Sequence, residues 1–215
     1  MADSVPSSSS SPSPECEFWL VRHGETDWNK AGRWQGHANV PLSSRGQEQA
    51  QALADRWSRD PDAQGLGPLF CSDLDRCVET AAPIARLLGL DPQLDPRLRE
   101  LDVGDWSGKI RSEIAQSAPE QLARFDAEDP EARAPGGETR SEIRLRAHGF
   151  MSELADRFPD SRIVVVTHRG FIRALLPGVG LGNAECVRVK AADALTRRAR
   201  LAGGKEEEST ESQPL

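Results

Sequence analysis

RIVVVTHRG, residues 162–170, opens with an almost unbroken apolar run of strand length and closes on a histidine, an arginine and a glycine. A strand that is apolar at successive positions has no wet face, so it belongs in a parallel sheet covered on both sides. EFWLVR, Glu17–Arg22, has the same character and is also followed by a histidine and a glycine, His23 and Gly24. Leu69–Ser72 (LFCS) and Glu185–Val189 (ECVRV) are shorter strand candidates. Helical patterns lie between them. Ser43–Arg59 places Ala50, Leu53, Ala54 and Trp57 on one helix face. Asp73–Leu88 reads as a helix capped by Ser72 or Asp73, kinked at Pro83 and stopped by Gly89. Glu138–Phe158 carries Ile143, Leu145, Phe150, Met151, Leu154 and Ala155, and stops before Pro159. Arg169–Leu175 and residues 191–200 read as further helices, and Trp106–Gly136 as a turn-rich stretch with short helical pieces around Ile110 and Leu122. The alternation predicts an α/β fold, a three-layer α/β/α domain with a mostly parallel central sheet.

The 215 residues suit one domain, expected over 15–202. Residues 1–14, with seven serines and three prolines, and residues 203–215, rich in glycine, serine and acid, are expected to be disordered tails. At 37% hydrophobic the chain can build a sizeable core, yet no apolar run approaches the ~18 residues that cross a bilayer. The first residues carry neither the cationic nor the apolar region of a secretory signal. Cys16, Cys71, Cys77 and Cys186 have no metal-ligand spacing, so a reduced, cytoplasmic location is expected.

The net charge is −7, of which Asp3 supplies −1 and residues 205–215 supply −3, leaving −3 for the middle of the chain. That is a poor footprint for nucleic acid. Of the 27 basic residues, however, 23 are arginine. Guanidinium forks match phosphate and carboxylate oxygens two at a time, so small anionic ligands fit this bias. A GC-rich genome would produce the same bias with no functional meaning.

Open α/β sheets bind ligands beyond the carboxyl ends of their strands. Arg22 and His23 follow the first strand, and His168, Arg169 and Gly170 the strand at 162–167. Arg76 falls in the first turn of the helix after LFCS, and Glu100 follows the stretch Leu94–Arg99. Two histidines, several arginines and one carboxylate would thus meet on one edge, with glycines allowing close approach of a ligand. Each residue also has an ordinary structural reading: a satisfied polar histidine, a surface arginine paired with Asp73 or Glu79, an exposed acid.

LVRHGETDWN (Leu20–Asn29) resembles the signature of the histidine phosphatase superfamily, in its cofactor-dependent phosphoglycerate-mutase-like branch. The resemblance continues in order through GRWQGHANVPLSSRGQEQA (32–50), CSDLDRCVETA (71–81), LRELDVGDWSG (98–108), PGGET (135–139) and VVVTHRGFIRAL (164–175), and covers roughly residues 16 to 190. It implies a phosphoglycerate-mutase-like fold in which His23 is the nucleophile that becomes phosphorylated. Arg22, Arg76 and His168 would clamp the phosphoryl oxygens, and Glu100 would donate a proton to the leaving oxygen. Asn29, Gln35 and Gly36 fall where relatives contact phosphate or substrate. Phosphoryl transfer asks for positioning and charge neutralisation, which cationic donors supply. No metal or other cofactor is expected, and no metal-site motif is present. His37 is expected at the pocket rim and His148 in a structural position.

Three functions fit these motifs: a phosphatase acting on a small phosphorylated metabolite, a phosphoglycerate mutase, and a non-catalytic phospho-ligand protein. Mutases of this family carry a longer insertion after the glutamate motif, whereas only about thirty residues separate Trp106 from Gly137, which favours the phosphatase. The intact set His23, Arg76, Glu100 and His168 argues against a non-catalytic protein. A metabolite is then the expected partner, with neither nucleic acid nor membrane, for a monomer or homodimer. Arg169 stands where relatives commonly have glycine; it either faces the pocket and reads a second anionic group or turns outward to pair with an acid. Residues 176–185 are shorter than usual, and 191–200 read as a helix in place of a final strand. Pocket walls are expected from the variable region Lys109–Ala134.

Overall fold

A computed structural model describes residues 15–202. The tails expected over 1–14 and 203–215 lie outside the described residues. In chain order the elements are β1 (Glu17–Arg22), α1 (Asp27–Lys30), α2 (Ser44–Trp57), β2 (Leu69–Cys71), α3 (Asp75–Leu88), β3 (Gln93–Leu94), α4 (Arg111–Ser117), α5 (Pro119–Asp126), α6 (Arg140–Arg157), β4 (Arg162–Thr167), α7 (Arg169–Leu175), β5 (Cys186–Lys190) and α8 (Ala191–Ala202). The sheet order is β3-β2-β4-β1-β5, with β5 antiparallel to β1 and the other pairs parallel.

The central strands are apolar on both faces, and alternation sorts their side chains into two cores. Phe18, Leu20, Ile163 and Val165 pack with Phe150, Met151 and Leu154 of α6 and with Phe171 and Leu175 of α7. Trp19, Val21, Val164 and Val166 pack with Leu53 and Trp57 of α2 and with Cys77, Ala81 and Ile84 of α3. The Trp19 and Trp57 rings meet edge to face at 5.1 Å. This is the expected three-layer sandwich. Helices on both faces leave the carboxyl ends of β1, β2 and β4 together along one rim. Among the described residues no helix is long and apolar enough to cross a membrane.

The caps largely follow the chemistry of the sequence. Ser43 accepts the Gly46 amide at the start of α2, and Thr139 forms a reciprocal capping box with Glu142 at the start of α6. Thr26 and Asn29 make a second box that sets α1, an element the apolar periodicity does not signal. Two expectations need correction. The cap of α3 is Leu74, which offers no side-chain bond, and Ser72 reaches the Leu74 amide only at 3.5 Å. The reason is that the Ser72 hydroxyl turns inward, 2.9 Å from His168 Nε2. Leu145 does not join the buried face of α6 but is 63% exposed. Gly89 ends α3 in the left-handed conformation as expected, φ 66°, and α3 runs on through Pro83. Residues 191–202 are helical, as read, and follow directly on β5.

The contrast on α6 is testable. Phe150 is 2% exposed, with Phe70 edge-on at 5.9 Å and the Arg97 guanidinium 4.4 Å over its ring. Phe150→Ala is expected to lower unfolding free energy by about 3–5 kcal/mol, and Leu145→Ala to change it by less than about 0.5 kcal/mol. Urea denaturation of the two variants checks the assignment of the faces.

Candidate active site

β1 hands His23 to the rim, where its amide bonds to the Thr167 carbonyl at the end of β4, 3.0 Å. The ring Nδ1 lies 2.7 Å from the Gly24 carbonyl oxygen. A carbonyl only accepts, so Nδ1 carries the proton and Nε2 keeps its lone pair. Burial, followed by the charges of Arg76 and Arg22, holds the His23 pKa well below the ordinary value, against the opposing pull of the Gly24 bond. The imidazole is therefore neutral at pH 7. The loop that carries it sits directly on α2: a Cβ at Gly24 would come 2.6 Å from the Gly46 carbonyl oxygen, and one at Gly46 would come 2.0 Å from that of Glu25. The Gly24 amide donates to Thr80 Oγ1 at 2.9 Å, and that hydroxyl donates to the Arg76 carbonyl at 2.6 Å.

Arg76, in the first turn of α3, has no solvent exposure. Its Nη1 donates to the Ala38 carbonyl at 2.7 Å, its Nη2 to the Gly36 carbonyl at 2.8 Å, and its Nε to His168 Nδ1 at 3.2 Å. One N–H on each Nη remains. His168 therefore accepts at Nδ1 and is protonated at Nε2, which faces Ser72 Oγ at 2.9 Å and Cys77 Sγ at 3.3 Å. Burial, then Arg76 and His23, push the His168 pKa well below the usual range. The His23 and His168 rings lie 5.2 Å apart. Arg22 donates to the Leu181 carbonyl at 2.7 Å, while its buried Nε has no hydrogen-bond partner. Burial lowers the Arg22 pKa, partly opposed by Glu100.

Glu100 is held from several directions. Its Oε1 accepts the Leu101 amide at 2.8 Å and its Oε2 the Gly170 amide at 3.1 Å. A Cβ at Gly170 would lie 2.1 Å from Oε1, so glycine at that position makes room for this carboxylate. Arg146 of α6 donates to the carbonyls of Arg97, Arg99 and Glu100 at 2.8–2.9 Å while paired side-on with Glu138 at 2.8 Å. His37 Nε2 donates to the same Glu100 carbonyl at 2.8 Å. Arg146 and His37 thus fix the backbone that presents the acid.

A cavity of about 680 Å³ opens over these groups. Arg22, His23, Asn29, Gln35, Gly36, Arg76, Glu100 and Arg169 all line it, and Arg169 has no ion-pair partner among the described residues. His168 does not line it: fully buried, it spends both ring nitrogens on Arg76 and Ser72, so it holds the clamp in place of touching the cavity. His37 is likewise absent from the lining and props Glu100. His148 is buried on α6, away from the cavity. The expected wall from residues 109–134 is present in Arg111, Phe125 and Asp126, and α6 and α7 supply further wall in Arg140, Arg144 and Arg173. These three arginines were readable as cavity candidates only through their spacing: Arg140 and Arg144 on α6, like Arg169 and Arg173 on α7, stand four residues apart and share a helix face. In all, eight arginines line the cavity against three carboxylates, and among the described residues no cluster of His, Cys, Asp and Glu could hold a metal.

The family model of the histidine phosphatase superfamily (branch 1) matches residues 18–205. Phosphoglycerate mutase-like protein 4 of Arabidopsis thaliana is 38% identical over 161 residues, 74% of this chain and 69% of the relative. Phosphoserine phosphatase 1 of Hydrogenobacter thermophilus is 36% identical over 167 residues, 76% of this chain and 77% of the relative. The structure of a mycobacterial glucosyl-3-phosphoglycerate phosphatase complexed with VO3 superposes with a TM-score of 0.71 at 33% identity, covering 80% of this chain and 91% of that one.

The two neutral histidines link stability to pH. Their native pKa values lie below the ordinary 6.5, so below that pH the unfolded chain binds protons that the native state does not. Stability is fully present above pH 6.5 and falls as pH drops through it, by up to about 1.4 kcal/mol per pH unit for each histidine. Between pH 7.5 and 5.5 Tm is expected to fall, and His168→Gln to flatten the slope. A Tm independent of pH across that window would contradict the buried neutral pair.

Proposed function

The chain belongs to the histidine phosphatase superfamily, and we propose that it is a metal-independent phosphomonoesterase that hydrolyses a small phosphorylated metabolite through a phosphohistidine. The observation that carries this reading is His23 itself: a neutral imidazole, its Nδ1 proton engaged by the Gly24 carbonyl, set with its Nε2 lone pair in an arginine-lined cavity. Nε2 attacks phosphorus in line as the ester P–O bond breaks, and the leaving alkoxide takes a proton from Glu100. The remaining N–H groups of Arg76, with Arg22, neutralise the phosphoryl oxygens, and His168 acts by fixing the Arg76 guanidinium. Water then attacks the phosphohistidine, Glu100 takes its proton, and phosphate leaves with His23 restored. The charge that needs neutralising is met by guanidinium groups, so no step calls for a metal ion.

Relatives named both phosphatase and mutase-like share the first half-reaction. The compact wall of α4 and α5, with no insertion to close over the site, supports transfer to water. The arginines gather in a concave cavity suited to a small anion and ill-suited to nucleic acid. A reducing, cytoplasmic compartment is part of the same proposal, supported by the free Cys16, Cys71, Cys77 and Cys186, as is a monomeric or homodimeric state.

Brief incubation with a 32P-labelled monoester followed by denaturation is expected to leave acid-labile, base-stable label on the chain and to release phosphate without an isomeric ester. His23→Ala should lose both label and turnover; retention of either refutes the nucleophile.

The carboxylate is tested through its neighbour. In Gly170→Ala the new Cβ displaces the flexible end of Glu100, so little stability should be lost. Turnover of alkyl phosphates, whose leaving group needs the proton, should nevertheless fall roughly 10²-fold or more, as in Glu100→Gln. Aryl phosphates with good leaving groups should suffer far less. Equal losses on both substrate types would remove Glu100 as the proton donor.

A further inference from the structure

The cavity has two poles. Near His23, the charges of Arg22, Glu100 and Arg169 act on one another. Farther along the wall a second group forms, in which Arg140 feels Glu128, Arg173, Arg144 and Asp126. Within that second group two arginines are already neutralised: Arg111 pairs with Asp126, and Arg173 with Glu128 at 2.6 Å. Arg140 and Arg144 have no carboxylate partner, and both carry a buried Nε–H that no protein group accepts. Arg140 is also oriented in advance, its guanidinium 4.5 Å over the Phe125 ring with Nη2 on the Phe125 carbonyl at 2.9 Å. A buried guanidinium donor without an acceptor is expensive unless a ligand completes it.

We propose that Arg140 and Arg144 form a second anion subsite, and that the substrate is a sugar-sized bisphosphate whose non-reacting phosphate docks there. This deepens the phosphatase reading and rests on it. Two uncompensated positive charges match the dianion of a phosphate monoester, with forked donors suited to its oxygens. A cavity of about 680 Å³ is far larger than one phosphate requires and holds a carbon framework between the two poles. Trp34, half-buried at the cavity wall, offers an apolar surface beside which a sugar ring would lie, while Phe125 behind it is covered by Arg140. Arg169 stands beside Arg22 at the reacting end and serves the first phosphate.

The test compares glucose 1,6-bisphosphate with glucose 6-phosphate, with p-nitrophenyl phosphate as a reference that has one anionic group. The parent enzyme is expected to favour the bisphosphate in kcat/KM by tenfold or more. Arg144→Gln breaks no hydrogen bond of the protein and should cut that ratio by roughly ten- to a hundredfold, chiefly through KM, with Arg144→Lys recovering part of it. Arg140→Gln should act in the same direction. A ratio near one, or variants that leave the ratio unchanged while p-nitrophenyl phosphate is still turned over through phosphohistidine, would overturn the subsite and leave the phosphatase standing. A preference for 3-phosphoglycerate over the bisphosphate, lost in Arg144→Gln, would assign the subsite to a carboxylate and likewise overturn the bisphosphate. If no monoester is turned over at all, the underlying phosphatase reading fails and the proposal fails with it.

Discussion

The Arg76 guanidinium has no water of its own, so neighbouring groups must do what water would. Removing a cation from solvent costs several kcal/mol unless its protons are met. Two backbone carbonyls and one histidine nitrogen meet three of them. That requirement dictates much else. His168 must keep Nδ1 unprotonated, which makes it neutral and turns its Nε2 proton toward Ser72 and Cys77. Gly36 must turn its carbonyl inward at φ 50°, where a Cβ would strike Val103. Thr80 ties the backbone of Arg76 to the loop of His23. All three acceptors are neutral, so the guanidinium charge stays unbalanced, and the negative oxygens of a phosphoryl group are what would balance it.

Around this centre the labour is divided between side chains that face the cavity and side chains that hold them. Arg146 is the clearest of the second kind. It binds three carbonyls of the stretch 97–100 and a carboxylate, and it does so from α6, the helix whose other side carries Arg140 and Arg144. One helix thus fixes the position of Glu100 and lines the outer cavity. Arg146, which holds Glu100, and two arginines of the outer cavity share a common support.

Much of this was legible in the sequence because it depends on short-range pattern. Apolar runs gave β1 and β4, helix-period spacing gave the buried face of α2, and the residues just after the strands gave the rim. The resemblance to histidine phosphatases then attached roles to His23, Arg76 and Glu100. What escaped depends on where side chains turn in three dimensions. Ser72 looks like a helix cap until His168 claims its hydroxyl. His37 looks like a rim residue until the Glu100 carbonyl claims its proton. Leu145 fits the apolar count of α6 but falls on its wet side. β3 is only two residues long, both exposed, and has no pattern to read. The outer arginines converge from two helices, and neither helix alone signals an anion site.

The parallel pairing of β1 with β4 has a consequence for the making of the protein. His23 is translated early, yet the Thr167 carbonyl that receives its amide, the His168 ring beside it and the Gly170 amide that holds Glu100 arrive only after most of the chain has left the ribosome. Pairing strands so far apart in sequence is entropically slow, and the centre cannot be assembled from a partial chain. A nascent polypeptide halted before β4 would hold His23, Arg76 and Glu100 but lack the Thr167, His168 and Gly170 groups that contact them. Completion of the centre therefore waits on the C-terminal part of the chain, because β4 and α7 supply the last of its contacts.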